Sequence, residues 1–310
     1  MSHLFGPVPS RRLGWSLGVD LVPPKTCSYD CLYCEVGRTT HLTCRRLPYR
    51  VAEIIRELEE YLPNPPVPLD YITLAGSGEP TLNSGLGQII AAVKKLTSTP
   101  VAVLTNGSLC YLPEVRAEMA GAAVILPSLD AGREETFRRI NRPHPALTLE
   151  LVVSGLKALR REYSGQIWLE IMVLKGLNDT EEELTFLKDR LRDLAPDRVQ
   201  LNTAVRPVAD PAARALSREE MEAAAAFLGG GAEVVAAARG VSPERLTVED
   251  RDLLEMLARR PMTARDLAQA LGESLAQVRR RLGRLAKSGL VHRDVHQNQD
   301  FYRRLITSTS

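Results

Sequence analysis

Two periods of apolar and polar positions alternate along this chain. Val51, Ile54, Ile55, Leu58 and Leu62 recur at helical spacing with charged residues between them, and predict a helix over 51–62. Comparable patterns predict helices over 85–96, 114–119, 133–140, 147–163, 181–194 and 218–228. Between them lie short, β-rich apolar runs at 17–22, 71–75, 101–105, 124–129, 167–174 and 198–202. Strands and helices that alternate this strictly build a parallel sheet, so the fold class is α/β. Six such units are fewer than the eight of a closed barrel. The polar groups fall at the C-terminal strand ends, where parallel barrels gather their active sites.

The pattern changes after Gly229-Gly230-Gly231, which starts a linker. Helices are predicted over 246–259, over 264–271 behind a capping Thr263, and over 274–287. Two strands, 290–295 and 301–305, complete a hairpin. That order predicts a small winged helix-turn-helix domain. The domain limits are expected at 1–235 and 241–310.

Composition narrows the class without naming a partner. Across 310 residues the formal net charge is +2, with 44% hydrophobic and 25% charged residues, as in ordinary globular proteins. No apolar run approaches the roughly 18 residues of a membrane span. The N-terminus lacks the basic-then-apolar pattern of a signal peptide. A cytoplasmic protein without membrane contact is expected. Five cysteines, three of them crowded, suit a metal site in a reducing compartment better than a disulfide framework. Cys44 and Cys110 stand alone and read as buried free thiols, so one metal centre is expected.

The crowded three are Cys27, Cys31 and Cys34, within eight residues. A zinc site usually takes four protein ligands, and an electron-transfer iron–sulfur cube also takes four thiolates. This loop offers three. A cube held by three would leave one iron open; a zinc knuckle short of a ligand and three unrelated thiols are the alternatives. The loop CxxxCxxC, with Tyr33 just before its last cysteine, resembles the signature of the radical S-adenosylmethionine (SAM) superfamily. That resemblance implies a partial (β/α)6 TIM-like barrel, one [4Fe–4S] cluster on Cys27, Cys31 and Cys34, and SAM on the open iron. It also implies an oxidoreductase-type chemistry. A donor such as flavodoxin or ferredoxin would supply one electron, SAM would split to a 5′-deoxyadenosyl radical, and that radical would take hydrogen from a substrate.

Gly76-Ser77-Gly78-Glu79-Pro80, after the second strand, is similar to the superfamily's glycine–glutamate motif. Its glycines would let a backbone carbonyl approach the SAM amino group, and Glu79 would add a charged partner. By the same resemblance Tyr33 would lie against the adenine, and Asn106, Ser128 and Asp130 would meet the ribose or carboxylate. Glu170, Asn202 and Arg206 could face the cavity, and Glu170 needs a partner if buried. Lys175 and Arg11-Arg12 read as solvated surface charge.

FGPVPSRRLG, LGVDLVPPKTC, GSGEPTLN, LTNGSL, INRPH, KGLND and VQLNTAVRP together resemble a group of radical SAM Fe–S oxidoreductases. Their relatives include enzymes that form the wyosine base of tRNA. Those enzymes carry a second cluster on further cysteines, which this chain lacks. In the C-terminal domain, Arg279, Arg280, Arg281, Arg284 and Lys287 make one basic helix, suited to nucleic acid or, as in peptide-modifying relatives, to a peptide, with a structural or dimerising role as the third reading. Acidic Glu249, Asp250, Asp252 and Glu255 make the domain's charge mixed. An enzyme acting on tRNA, other RNA or a peptide is expected; the alternative is a DNA-binding regulator that senses SAM or the cluster's state.

Overall fold

The structure is a computed structural model that describes residues 2–10, 12–235 and 250–305. The expected domain boundary, Glu249 and Arg11 lie outside those residues.

The chain opens with β1 (Leu4–Ser10) and β2 (Gly14–Asp20), followed by the two-residue strands β3 (Thr26–Cys27) and β4 (His41–Leu42) that pair across the cysteine loop. Then come α1 (Val51–Tyr61), β5 (Tyr71–Ala75), α2 (Leu86–Leu96), β6 (Val101–Thr105), α3 (Pro113–Met119) and β7 (Val124–Pro127). α4 (Glu134–Asn141), α5 (Leu149–Glu162), β8 (Gln166–Met172), α6 (Glu181–Leu194), β9 (Arg198–Asn202), α7 (Arg218–Leu228) and β10 (Ala232–Val234) complete the barrel. One sheet of eight strands runs in the order β1-β2-β5-β6-β7-β8-β9-β10. From β2 to β10 every neighbouring pair is parallel, and β1 is antiparallel to β2.

Six of these strands are the expected ones; β1 and β10 are additions. Pro7 and Pro9 in β1 and the glycines before β10 argue against strands in the sequence. Both additions sit at sheet edges, where a missing donor or a short run costs least. The apolar faces of the helices and strands meet in one large core that includes Leu17, Val19, Ile72, Leu74, Val103, Ile125 and Leu201. Burying a side chain of that kind contributes about 1.5–3 kcal/mol. This core fixes the strand ends on which the polar groups stand.

The C-terminal domain contains α8 (Asp250–Arg259), β11 (Met262–Thr263), α9 (Ala264–Leu271), α10 (Leu275–Lys287), β12 (Val291–His296) and β13 (Gln299–Arg304). Thr263 and Ser274 make capping boxes with Asp266 and Gln277, which explains why α9 and α10 begin where they do. β11 adds a third strand to the expected hairpin, in the order β11-β13-β12. Leu253, Leu267, Val278 and Leu282 form its core, against which Val8 of β1 also packs.

Candidate functional site

The cysteine loop lies across the C-terminal ends of the parallel strands. Its entry is held by the glycine turn that follows β5. The Glu79 amide donates to the Thr26 carbonyl (3.1 Å), and the Lys25 amide to the Ser77 carbonyl (2.8 Å). A Cβ on Gly78 would overlap that same Thr26 oxygen, and one on Gly76, at φ +129°, would overlap the Asp20 carboxylate. The glycines are therefore required by the approach of the turn to Thr26 and Asp20. Asp20 accepts from the Ser77 amide (2.9 Å) and hydroxyl (2.7 Å) and so braces the turn.

Glu79 is buried, 2% exposed, and no described cation pairs with it. Its Oε1 accepts from the Thr81 amide (3.0 Å) and hydroxyl (2.5 Å) and from the Thr105 hydroxyl (2.6 Å). Its Oε2 accepts from the Asn106 amide (2.8 Å). Burial pushes its carboxyl upward against these donors. Oε2 keeps lone-pair capacity for a further donor. Asn106 also reaches the cysteine loop, its Nδ2 donating to Ser28 Oγ (2.9 Å) and lying 3.6 Å from Cys27 Sγ.

Asp130 forms the second buried centre, 2% exposed. The Tyr33 hydroxyl and Asn141 Nδ2 (2.7 Å) donate to its Oδ2, and the Met172 amide (2.8 Å) donates to Oδ1. Asn141 Nδ2 also lies 3.6 Å from Cys31 Sγ. Asn178 ties the Asp130 and Met172 carbonyls together from below (2.7 and 2.8 Å). Burial raises the Asp130 carboxyl to about 6 in spite of its donors.

These contacts show which protein partners the residues singled out in the sequence have. Asp130 is engaged by protein donors and holds Tyr33 in place, and the Asn106 amide side chain is occupied by the cysteine loop. Among the expected ligand contacts Ser128 is half-buried, and no described residue hydrogen-bonds its hydroxyl. Arg12, expected on the surface, is mostly buried and stands 2.6 Å from Glu170, the partner that residue needed. Asn202 reaches Glu170 (3.4 Å), and Arg206 pairs with Glu35 (3.0 Å). Lys175 remains a surface charge, paired with Glu220 (2.8 Å). Cys110 is buried as expected, but Cys44 is only half-buried; all five cysteines are free. On α10, Arg281 is consumed by Asp250 (2.7 Å) and Glu273, while Arg279, Arg280, Arg284 and Lys287 stay exposed.

Asn141, Asn178, Tyr29 and Asp20 have no role assigned from sequence, although Asn141, Asn178 and Asp20 stand in the motifs INRPH, KGLND and LGVDLVPPKTC. A polar residue inside a short motif yet buried in an apolar setting was the available signal.

The donor set favours a cluster over a single ion. Cys34 hinders ionisation of Cys27, and Cys27 and Cys34 together hinder that of Cys31, so the three thiols are close neighbours. Burial, Glu79 and Cys34 push the Cys27 thiol up to about 12. Zinc would ask for four donors at about 2.3 Å or less from one point, whereas a multi-iron cube accepts thiolates set apart around it. Beside the thiols, the buried Tyr29 hydroxyl and Asn141 Oδ1 have no hydrogen-bond partner, so this pocket keeps polar capacity for a bound group. The residues present fit a [4Fe–4S] cluster.

Comparison with known proteins agrees. Residues 21–187 match the family described as Radical SAM superfamily, and residues 251–294 match a Helix-turn-helix domain. The chain is 40% identical over 298 residues to a protein of Brachyspira hyodysenteriae named GTPase Obg, covering 94% of this chain and 44% of that one. It is 39% identical over 211 residues to UPF0026 protein MJ1312 of Methanocaldococcus jannaschii, covering 67% and 65%. A UPF0026 protein of Helicobacter pylori J99 is 32% identical over 273 residues, covering 85% and 86%. The chain thus spans less than half of the first of these and about two thirds of the second. It contains no Gly-Lys dipeptide, and hence no phosphate-binding loop of the GxxxxGK[ST] kind. TYW1, solved with a lysine–pyruvate adduct, shares the fold at a TM-score of 0.53 and 16% identity, covering 72% of this chain and 75% of that one. A radical SAM methyltransferase from Sphaerobacter thermophilus does so at 0.52 and 18%, covering 71% and 65%. The three-thiol loop, the glycine turn beneath it and these matches place the chain in the radical SAM superfamily, together with the UPF0026 proteins.

Proposed function

We propose that this enzyme uses Cys27, Cys31 and Cys34 to hold its [4Fe–4S] cluster and the Gly76–Glu79 turn to seat SAM beside it, acting on a substrate that enters at the barrel mouth. When bound, cluster and SAM supply a 5′-deoxyadenosyl radical for hydrogen abstraction, with the electron drawn from a one-electron donor. The observation that carries this reading is the lodging of three mutually close thiols against the buried, cation-free Glu79. A carboxylate kept there without a positive partner is suited to an ammonium donor such as the SAM amino group. Ser128 offers a hydroxyl at the end of β7. Tyr33, held by Asp130, presents its ring beside Cys34 for stacking against the adenine.

Anaerobic reconstitution followed by assay for 5′-deoxyadenosine tests this directly. Four irons per chain and SAM cleavage under strong reductant are expected; a reconstituted cluster that never cleaves SAM would overturn it. A second reading, a DNA-binding sensor, draws on the exposed Arg279, Arg280, Arg284 and Lys287 of α10. It requires a duplex affinity that changes when the cluster is removed.

A further inference from the structure

A cavity of about 290 Å³ opens beside Tyr33 and Cys34 at the ends of β8 and β9. Its charged walls are Arg12, Glu35, Glu170, Arg206 and Arg260. Arg260 belongs to the C-terminal domain. We propose that this cavity binds an oxyanion group of the substrate, phosphate or carboxylate, and that Arg260 helps to select it. The proposal rests on the reading above, which places the reaction at this mouth.

Charge gives the first argument. Three guanidiniums face two carboxylates in the cavity. Arg12 Nη1 pairs with Glu170 Oε2 at 2.6 Å, which fixes that guanidinium in the cavity wall. The route into the cavity gives the second. An adjoining groove of about 900 Å³ between barrel and C-terminal domain shares Glu35 and Arg260 with it and adds Arg214, Arg303 and Arg304. Across cavity and groove the walls carry seven arginines, Arg259 included, and three carboxylates, Glu35, Glu170 and Asp294, with Asp20 and Glu255 paired to Arg259 and Arg304 behind them, in a chain whose overall excess is only +2. Such a local excess steers anions inward.

The residue type gives the third argument. Among the described residues no lysine lines either space. Arginine's planar fork reads carboxylate or phosphate with two parallel bonds, which lysine does not. The mounting of Arg260 is the fourth. Its neighbour Arg259 is 8% exposed and lies 3.4 Å from Asp20 of β2. Arg259 also donates to the Ser2 carbonyl (2.6 Å) and stacks 5.4 Å from the centre of the Phe5 ring. With that anchor, the end of α8 holds Arg260 at the mouth, and the C-terminal domain becomes one wall of the substrate site.

Calorimetric titration of the reconstituted full chain, with SAM bound, would use inorganic pyrophosphate and malonate as probes. Saturable binding of at least one is expected, weakening as salt is raised from about 50 to about 300 mM. Whichever probe binds more tightly distinguishes a phosphate-bearing from a carboxylate-bearing substrate. Arg260→Gln should weaken binding by about tenfold or more, and Arg260→Lys by less, since it keeps charge but loses the fork. Arg12→Gln and Arg206→Gln give independent routes to the same loss should the Arg260 variants fold poorly. Arg280→Gln, on exposed α10, should leave the affinity alone. Failure of both probes to bind the unaltered chain, an Arg260→Gln affinity equal to its parent's, or an equal loss in Arg280→Gln would overturn the proposal. Iron content and SAM affinity of the same samples separate that result from a failure of the site reading itself.

Discussion

Two buried carboxylates flank the cysteine loop, and they are held in different ways. Glu79 takes all four of its hydrogen bonds from residues at the ends of β5 and β6, so its turn is self-contained. Asp130 collects donors from the cysteine loop, the end of α4 and β8, elements far apart in sequence. Among the described residues neither has a cation beside it. The contrast separates two tasks: one carboxylate presents charge from a rigid local platform, and the other ties the loop to the barrel. Glu79 is near Cys27, and Asp130 is linked to Cys31 through Asn141.

The harshest way to break this comparison is to remove what both carboxylates serve. Cys31→Ala should lower iron content after reconstitution well below four per chain and bring 5′-deoxyadenosine to background. Next in size is Gly78→Ala, whose Cβ would press the turn away from Thr26. A stability loss of about 2–3 kcal/mol is expected in urea unfolding, with poorer cluster retention. The paired substitutions Glu79→Gln and Asp130→Asn then sharpen the contrast. Each sets an amide N–H against existing donors and should cost about 1–3 kcal/mol. Glu79→Gln should weaken SAM binding by about tenfold or more, whereas Asp130→Asn should chiefly hasten loss of the cluster; equal effects on SAM affinity would erase the distinction.

The smallest expected effect is on pH dependence. The folded chain holds the Asp130 proton more tightly than the unfolded one, its carboxyl raised from 3.8 to about 6. Its contribution to stability is therefore full below the unfolded value and is lost as pH rises through about 6. Unfolding of the metal-free chain should show a decline in stability over that window that is shallower in Asp130→Asn.

Local features were legible in the sequence. The cysteine spacing, the glycine turn, six parallel strands and the winged helix each lie within a few consecutive residues or a repeating period. Asp130 shows where that kind of reading stops. Its position at a strand end could be placed, but whether its oxygens faced a ligand or Tyr33 and Asn141 depended on elements met elsewhere in the chain. The Arg12–Glu170 and Arg259–Asp20 pairs were out of reach for the same reason. A charge reads as solvated until the fold reveals what stands opposite.

The two outer strands carry a consequence for how this molecule behaves among its own copies. A sheet margin with every amide free is a template on which another chain can add itself. Here one margin has two prolines, Pro7 and Pro9, which have no N–H to offer, and Val8 between them is packed into the C-terminal domain. The opposite margin is a strand of three residues, Ala232–Val234. Among the described residues neither gives a flat run long enough for a neighbour to extend, so both margins of the eight-stranded sheet are poor templates for a second copy.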